Sequence, residues 1–198
     1  MSFLFNECSI YDIVDENDIA GFSCGDSDLD EFYAKDCFGY AKQLLGKSYC
    51  YKLDTDSGKV VCAFTLANAG IRVADLPNAR KKKIETDIPH IKTLKEYPAV
   101  LIGRLAVSKE FQSKHVGSDV LEYIKYWFID SNNKTGCRFI IVDAYNNRNT
   151  IAFYERNGFK SVFSTDEQEK GYRHIDPNVA LNTRLMYFDL LSVAKDCV

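Results

Sequence analysis

The chain has 198 residues, a formal net charge of −3, 46% hydrophobic residues and 27% charged residues. That length supports one folded domain with a sizeable core, and that composition excludes disorder. A sequence pI of about 5.7 exerts no overall pull toward nucleic acid or membrane, so such a partner would need a local patch.

In chain order, Ile10 to Val14 reads as a first strand. Asp26 to Asp30 (DSDLD) is a helix start: short acidic side chains accept from free N–H groups and favour the first turn. Leu29, Phe32, Tyr33, Phe38, Ala41, Leu44 and Leu45 then give an apolar face to a helix ending near Gly46. Ser48–Leu53 and Lys59–Ala67 flank the turn sequence DTDSG and predict an antiparallel hairpin. Ala69 to Tyr97 is irregular, with Pro77, Pro89 and the run Arg80-Lys-Lys-Lys83. This run reads either as a solvated surface or as a basic rim that steers an anionic acceptor or the phosphates of a cofactor.

Val100 to Val107 (VLIGRLAV) predicts a buried strand. Gln112 to Gly117 (QSKHVG) follows as a short polar loop. Val116, Val120, Leu121, Ile124, Trp127 and Phe128 then lie on one face of a helix. A strand, a tight loop and a helix start present unpaired N–H groups at the positive end of the helix dipole, which suits an anion and above all a phosphate. Gly117 gives the backbone room to approach a ligand, and Lys114 adds a cation. The same segment also reads as a plain strand-to-helix connection.

Ser131–Gly136 is a polar break. Cys137–Ala144 reads as a second buried parallel strand, joined to the first by a right-handed crossover. Asn146–Asn157 predicts a short helix capped by Asn147, with Ile151, Phe153 and Tyr154 as its apolar residues and Gly158 closing it. Phe159–Phe163 begins another strand, Ser164–Asn178 reads as a long polar loop, and Thr183–Leu191 closes the sheet. The seven cysteines, Cys8, Cys24, Cys37, Cys50, Cys62, Cys137 and Cys197, are odd in number, widely spaced and without a CxxC pair. They fit reduced, mostly buried thiols in a cytoplasm. No signal peptide and no membrane span is expected. With no repeat or boundary in view, residues 1–198 read as one domain.

The Gln112–Gly117 loop resembles motif A of the GNAT superfamily of acetyl-CoA-dependent N-acetyltransferases: Gln or Arg, two residues, Gly, one residue, then Gly or Ala. Gln112 and Gly117 fit, and His115 stands where the first glycine belongs. A Cβ there is expected to crowd a diphosphate or strain the backbone. Ala152-Phe-Tyr-Glu-Arg-Asn-Gly-Phe159 resembles motif B of the same superfamily and follows at the expected distance. Phe22–Phe32 and Gly103–Val107 are similar to the toxin-type subgroup, whose members acetylate the amino group of aminoacyl-tRNA. The resemblance does not cover Ala69–Tyr97.

This resemblance implies an α+β fold in α/β/α layers, with a mixed, splayed central sheet of about six to seven strands flanked by helices. It implies acetyl-CoA as co-substrate and no metal. The pantetheine arm would pair with Leu105, Ala106 and Val107, and the Val107 N–H would donate to the oxyanion. The diphosphate would sit on Gln112, Ser113, Lys114, His115, Val116, Gly117 and Ser118, with Asn147 also at the cofactor. Tyr154 would be the general acid, since a phenol near its reference pKa of ~10 holds its proton at neutral pH. Tyr97, Glu96, Asp143 and His174 are base candidates by type only, and none is chosen. The expected reaction is direct attack by a primary amine, small or macromolecular, in a ternary complex. Transfer to aminoacyl-tRNA and a non-catalytic acyl-CoA-binding role are the alternatives. Expected partners are the amine acceptor, tRNA, an antitoxin and a second copy in a homodimer, without a membrane.

Overall fold

The computed structural model describes residues 2–86, 88 and 94–194. Pro89 and Cys197, both singled out above, lie outside those residues. The chain divides into two compact units, residues 1–68 with 102–130 and residues 69–101 with 131–198.

The first unit opens with α1 (Phe3–Glu7) and β1 (Cys8–Asp12). β1 begins two residues earlier than its sequence pattern predicts, because antiparallel pairing sets its limits, from Cys8 opposite Leu53 to Asp12 opposite Tyr49. Val14, the expected last strand residue, is exposed instead, and its N–H donates to Asp18 Oδ2 at 2.9 Å. The expected long helix is interrupted. α2 (Ser27–Glu31) starts on Asp26, whose carboxylate accepts from the N–H groups of Asp28 and Leu29. A π-helical turn over Phe32–Asp36 precedes α3 (Cys37–Lys42).

Leu44 and Leu45, placed on the apolar face above, are 91% and 55% exposed. The reason is the helix end. Leu44 adopts a left-handed φ of 59°, the Leu44 N–H meets the Ala41 carbonyl at 3.1 Å, and the Leu45 N–H meets the Tyr40 carbonyl at 2.9 Å. This is the reversal usually built on glycine, and it turns both leucines outward.

β2 (Lys47–Leu53) and β3 (Asp56–Arg72) form the predicted hairpin, antiparallel with Tyr49 opposite Phe64. β4 (Glu96–Val107) and α5 (Val116–Ile129) follow. One core of this unit joins Phe32, Tyr33 and Cys37 to Ile13, Ile19, Cys50, Val60, Ala63 and Ala106. Val116, Val120, Leu121 and Ile124 of α5 are buried as the sequence predicts. Trp127 packs edge-on against Tyr49 with ring centroids 5.1 Å apart, and Tyr123 packs against Tyr51 at 5.8 Å.

The second unit contains α4 (Asn78–Ile84), so the irregular stretch is ordered at both ends: β3 runs on to Arg72 and β4 starts at Glu96. β5 (Phe139–Tyr145), α6 (Arg148–Arg156), β6 (Lys160–Ser161), α7 (Asp166–Arg173), β7 (Thr183–Asp189) and α8 (Leu191–Ala194) complete it. β7 pairs antiparallel with β5 and with the two-residue β6.

The expected Ser164–Asn178 loop is corrected by α7. Thr165 caps that helix, with its hydroxyl accepting from the Gln168 N–H at 3.4 Å. Acids fill its first turn and Lys170 and Arg173 its last, each matching the helix dipole. Glu169 of α7 is fully buried, and Arg184 Nε donates to it at 2.7 Å. The seven strands form a sheet of order β1-β2-β3-β4-β5-β7-β6. No helix among the described residues is long and apolar enough to cross a membrane. Cys8, Cys24, Cys37, Cys50, Cys62 and Cys137 are free thiols, all buried except the half-buried Cys137.

Candidate active site

The first group of candidate residues lies where β4 ends. The Ser108 N–H donates to the Val61 carbonyl of β3 at 2.9 Å. Backbone groups alternate along a strand, so the N–H and C=O of Val107 and of Leu105 point to the edge away from β3. By the same alternation Ala106 turns its amide toward β3, and its methyl is in the core beside Phe32 and Tyr33. Gln112 braces this strand end. Its side-chain NH₂ donates to the Val107 carbonyl at 3.1 Å and to the Cys24 carbonyl at 2.8 Å. The 23–25 loop is held in turn by Asp30, which accepts from the Cys24 N–H at 2.7 Å and the Ser23 hydroxyl at 2.7 Å. DSDLD therefore does more than start a helix: its last carboxylate shapes the loop that Gln112 grips.

Between β4 and α5 lie a short 3₁₀ turn (Lys109–Phe111) and two left-handed residues, Ser113 at φ 65° and His115 at φ 62°. His115 is exposed and forms the N-cap of α5. Its carbonyl accepts from the Ser118 and Asp119 N–H groups at 2.9 and 3.1 Å. The departure from glycine is thus accommodated. Histidine enters the left-handed region more readily than most side chains, at a cost of about 1–2 kcal/mol, and the imidazole points to solvent. The amides of Val116 and Gly117 remain at the open start of a 14-residue helix, a geometry that fits a diphosphate.

Lys114 is placed by aromatic rings. Its ammonium lies 4.9 Å from the Phe111 ring centre and 5.5 Å from that of Phe3. The two rings stack at 5.7 Å, and the Ser2 hydroxyl donates to Asp119 at 2.6 Å. α1 therefore borders the loop, a placement with no local signal in the sequence. Arg104 carries no such signal either. Its guanidinium sits 5.1 Å from the Phe32 ring and 3.7 Å from Asp28.

The second group belongs to the other unit. Asn147 is the predicted cap of α6, accepting from the Thr150 N–H at 2.9 Å, so its amide nitrogen is the part left for a ligand. Tyr154 is 8% exposed. Its ring packs edge-on against Phe153 at 5.1 Å and Phe159 at 5.3 Å. Burial pushes the phenol up to about 12, which strengthens its hold on the proton at neutral pH. Gly158 closes the helix at φ +83°, and a Cβ there would meet Phe188 at 2.9 Å.

The base candidates stay apart in character. Asp143 is ion-paired with Arg173. His174 is exposed at the left-handed end of α7, Glu96 is exposed, and Tyr97 is buried. Burial and neighbouring Glu85 push the Tyr97 phenol up.

The family model described as an acetyltransferase (GNAT) domain matches residues 50–161. The tRNA-acetylating toxin of Mycobacterium tuberculosis is 28% identical over 148 residues, which make up 75% of this chain and 81% of that protein. A solved structure of a KacT mutant is similar with TM-score 0.70 at 22% identity, covering 96% of this chain and 99% of that one. AtaT complexed with acetyl-methionyl-tRNAfMet gives TM-score 0.70 at 21% identity, covering 97% and 100%. AtaTR bound with AcCoA gives 0.69 at 19% identity, covering 98% and 99%.

Proposed function

Because the chain belongs to the GNAT acetyltransferase family, we propose that it transfers the acetyl group of acetyl-CoA to the α-amino group of an aminoacyl-tRNA. The observation that carries this acceptor is the 28% identity to a tRNA-acetylating toxin over 81% of that protein's length. In this reading residues 1–198 act as one acetyltransferase domain.

Acetyl-CoA supplies the acyl group as a thioester, activated toward an amine. The N–H groups of Val116 and Gly117 bind its diphosphate, on the turn shaped by Gln112, Ser113 and His115, and Lys114 adds positive charge; the Ser118 N–H, expected to join them, is spent on the His115 carbonyl. Leu105 and Val107 offer backbone groups to the pantetheine arm. The Val107 N–H donates to the oxygen on which charge develops, which is where a fixed donor helps most. Tyr154 gives its phenolic proton to the departing sulfur, and Asn147 fixes the helix that carries it. Water takes the proton released by the amine, so no side-chain base is assigned.

Relatives of this kind also assemble with antitoxins, since AtaT has been solved bound to the C-terminus of AtaR. We extend that partner class, and a homodimer, to this protein. Light scattering of the purified chain reads the second directly.

The test measures free thiol released from acetyl-CoA with charged tRNA, deacylated tRNA or a panel of small amines. Release is expected with charged tRNA alone. Release with a small amine but none with charged tRNA would remove the proposed acceptor and leave the acetyltransferase.

A further inference from the structure

The acidic charge of this chain is unevenly shared. Residues 1–68 and 102–130 hold sixteen acidic and nine basic side chains, a net −7; residues 69–101 and 131–198 hold twelve and sixteen, a net +4. The excess in the second unit is densest on α4, where Arg80, Lys81, Lys82 and Lys83 are consecutive. Leu76, just before α4, and Ile84, its last residue, are buried in the core of that unit with Phe139, Phe163 and Tyr187. Those two anchors fix the rotation of the helix and turn Lys82 and Lys83 outward, where both are exposed. Lys81 faces Glu85 at 3.9 Å, while Lys82 and Lys83 have no carboxylate within salt-bridge distance among the described residues. Arg72 of the same unit lies 5.5 Å from the ring of Tyr172, which packs on that same core, and is paired with Asp75 at 3.9 Å, so it adds no free charge.

A solvated surface usually intersperses its charges. Here an anchored helix carries four adjacent cations, and the outer two are left without a counter-charge among the described residues. We propose that the Arg80–Lys83 face of α4 binds the phosphate backbone of the tRNA acceptor. The inference rests on the aminoacyl-tRNA reading above. It also explains how an acidic protein takes a polyanionic substrate: a local cluster attracts phosphates that the molecule as a whole would repel.

The test is binding of deacylated tRNA by the full chain as a function of salt, which reads this surface without requiring acetylation. Each phosphate that the surface no longer neutralises lowers the slope of log affinity against log salt by about one unit. K82E/K83E is expected to weaken tRNA binding about tenfold or more near 0.1 M salt and to flatten the slope by about two units. K35E/K42E makes the same charge change in the acidic unit and is the control, expected to bind as wild type does. Thermal melting confirms that both variants fold. K82A/K83A repeats the measurement without added negative charge, and its slope should flatten equally.

Wild-type affinity and slope in the α4 variants would overturn the proposal. So would equal losses in K35E/K42E, which would reveal only net charge. The two readings fail separately: absence of acetyl transfer to charged tRNA sinks the acceptor, and an unchanged salt slope sinks the α4 surface.

Discussion

Replacing Tyr154 by Phe isolates one atom. The ring keeps its edge-on packing against Phe153 at 5.1 Å and Phe159 at 5.3 Å, so stability should move by less than about 1 kcal/mol. What disappears is the proton donor. A positioned acid contributes about 10²–10⁴ in rate, equivalent to about 2.7–5.4 kcal/mol of barrier. We therefore expect kcat with charged tRNA, followed by thiol release, to fall at least a hundredfold. The Kd for acetyl-CoA, measured by calorimetry, should stay within about twofold.

The pH dependence gives a second reading. Burial holds the phenol at about 12, and the acid role needs the protonated form. That form persists as pH rises until the phenol begins to ionise, so kcat should show no descending limb from Tyr154 between about pH 6 and 10. A Phe variant with at least half the wild-type kcat would refute the role. A fall in kcat matched by an equal weakening of acetyl-CoA binding would refute it too, because the ring rather than the proton would then matter.

Three further outcomes follow from the same structure. His115→Val puts a β-branched residue at φ 62° and should lower stability by about 1–2 kcal/mol in a thermal melt. His115→Gly should stay within about 1 kcal/mol, because relief of strain is offset by the freer unfolded chain, and indistinguishable Val and Gly variants would contradict the left-handed turn. Glu169→Gln removes the buried charge that faces Arg184 at 2.7 Å and Arg173 at 2.9 Å. Each guanidinium keeps a second carboxylate, Asp166 beside Arg184 and Asp143 beside Arg173, so urea unfolding should show a loss of about 1–3 kcal/mol; a loss below about 0.5 kcal/mol would contradict the pairing. The carboxyl of Asp18 is held below its usual range, chiefly by the Val14 N–H. A carboxyl depressed in the folded state stabilises fully above its unfolded pKa of about 4 and loses that contribution as pH falls through the folded value. Asp18→Asn should therefore be less stable at pH 7 and flatten the acid limb of stability, and an unchanged limb would exclude Asp18 from it.

Local signals are legible wherever one short segment decides its own conformation. Asp26 and Asn147 cap the helices they are expected to cap, and Gly158 has the positive φ its position demands. Val116, Val120, Leu121 and Ile124 of the α5 stripe are buried as their spacing requires, and Trp127 and Phe128 at its end are half-buried. Outcomes set by distant partners are not legible. β1 takes its limits from β2, and Leu44 and Leu45 follow a helix reversal that carries no glycine to announce it. The motif assigns Gln112 to the cofactor, yet its side chain bonds carbonyls 88 and 5 residues away. α7 differs from these, because its signals are local and complete: Thr165, an acidic first turn and a basic last turn. The charged character of the segment hides them, and a fully buried Glu169 is unexpected until Arg184 is seen beside it.

The central claim is that an acetyl group moves from a thioester to the amine of a charged tRNA. Incubation with acetyl-CoA and charged tRNA, nuclease digestion and mass spectrometry of the 3′-terminal adenosine esters test it most directly. Esters heavier by one acetyl group are expected, with that group on the α-nitrogen of the amino acid. Unmodified esters, while acetyl-CoA is consumed on some other amine in the same tube, would contradict it.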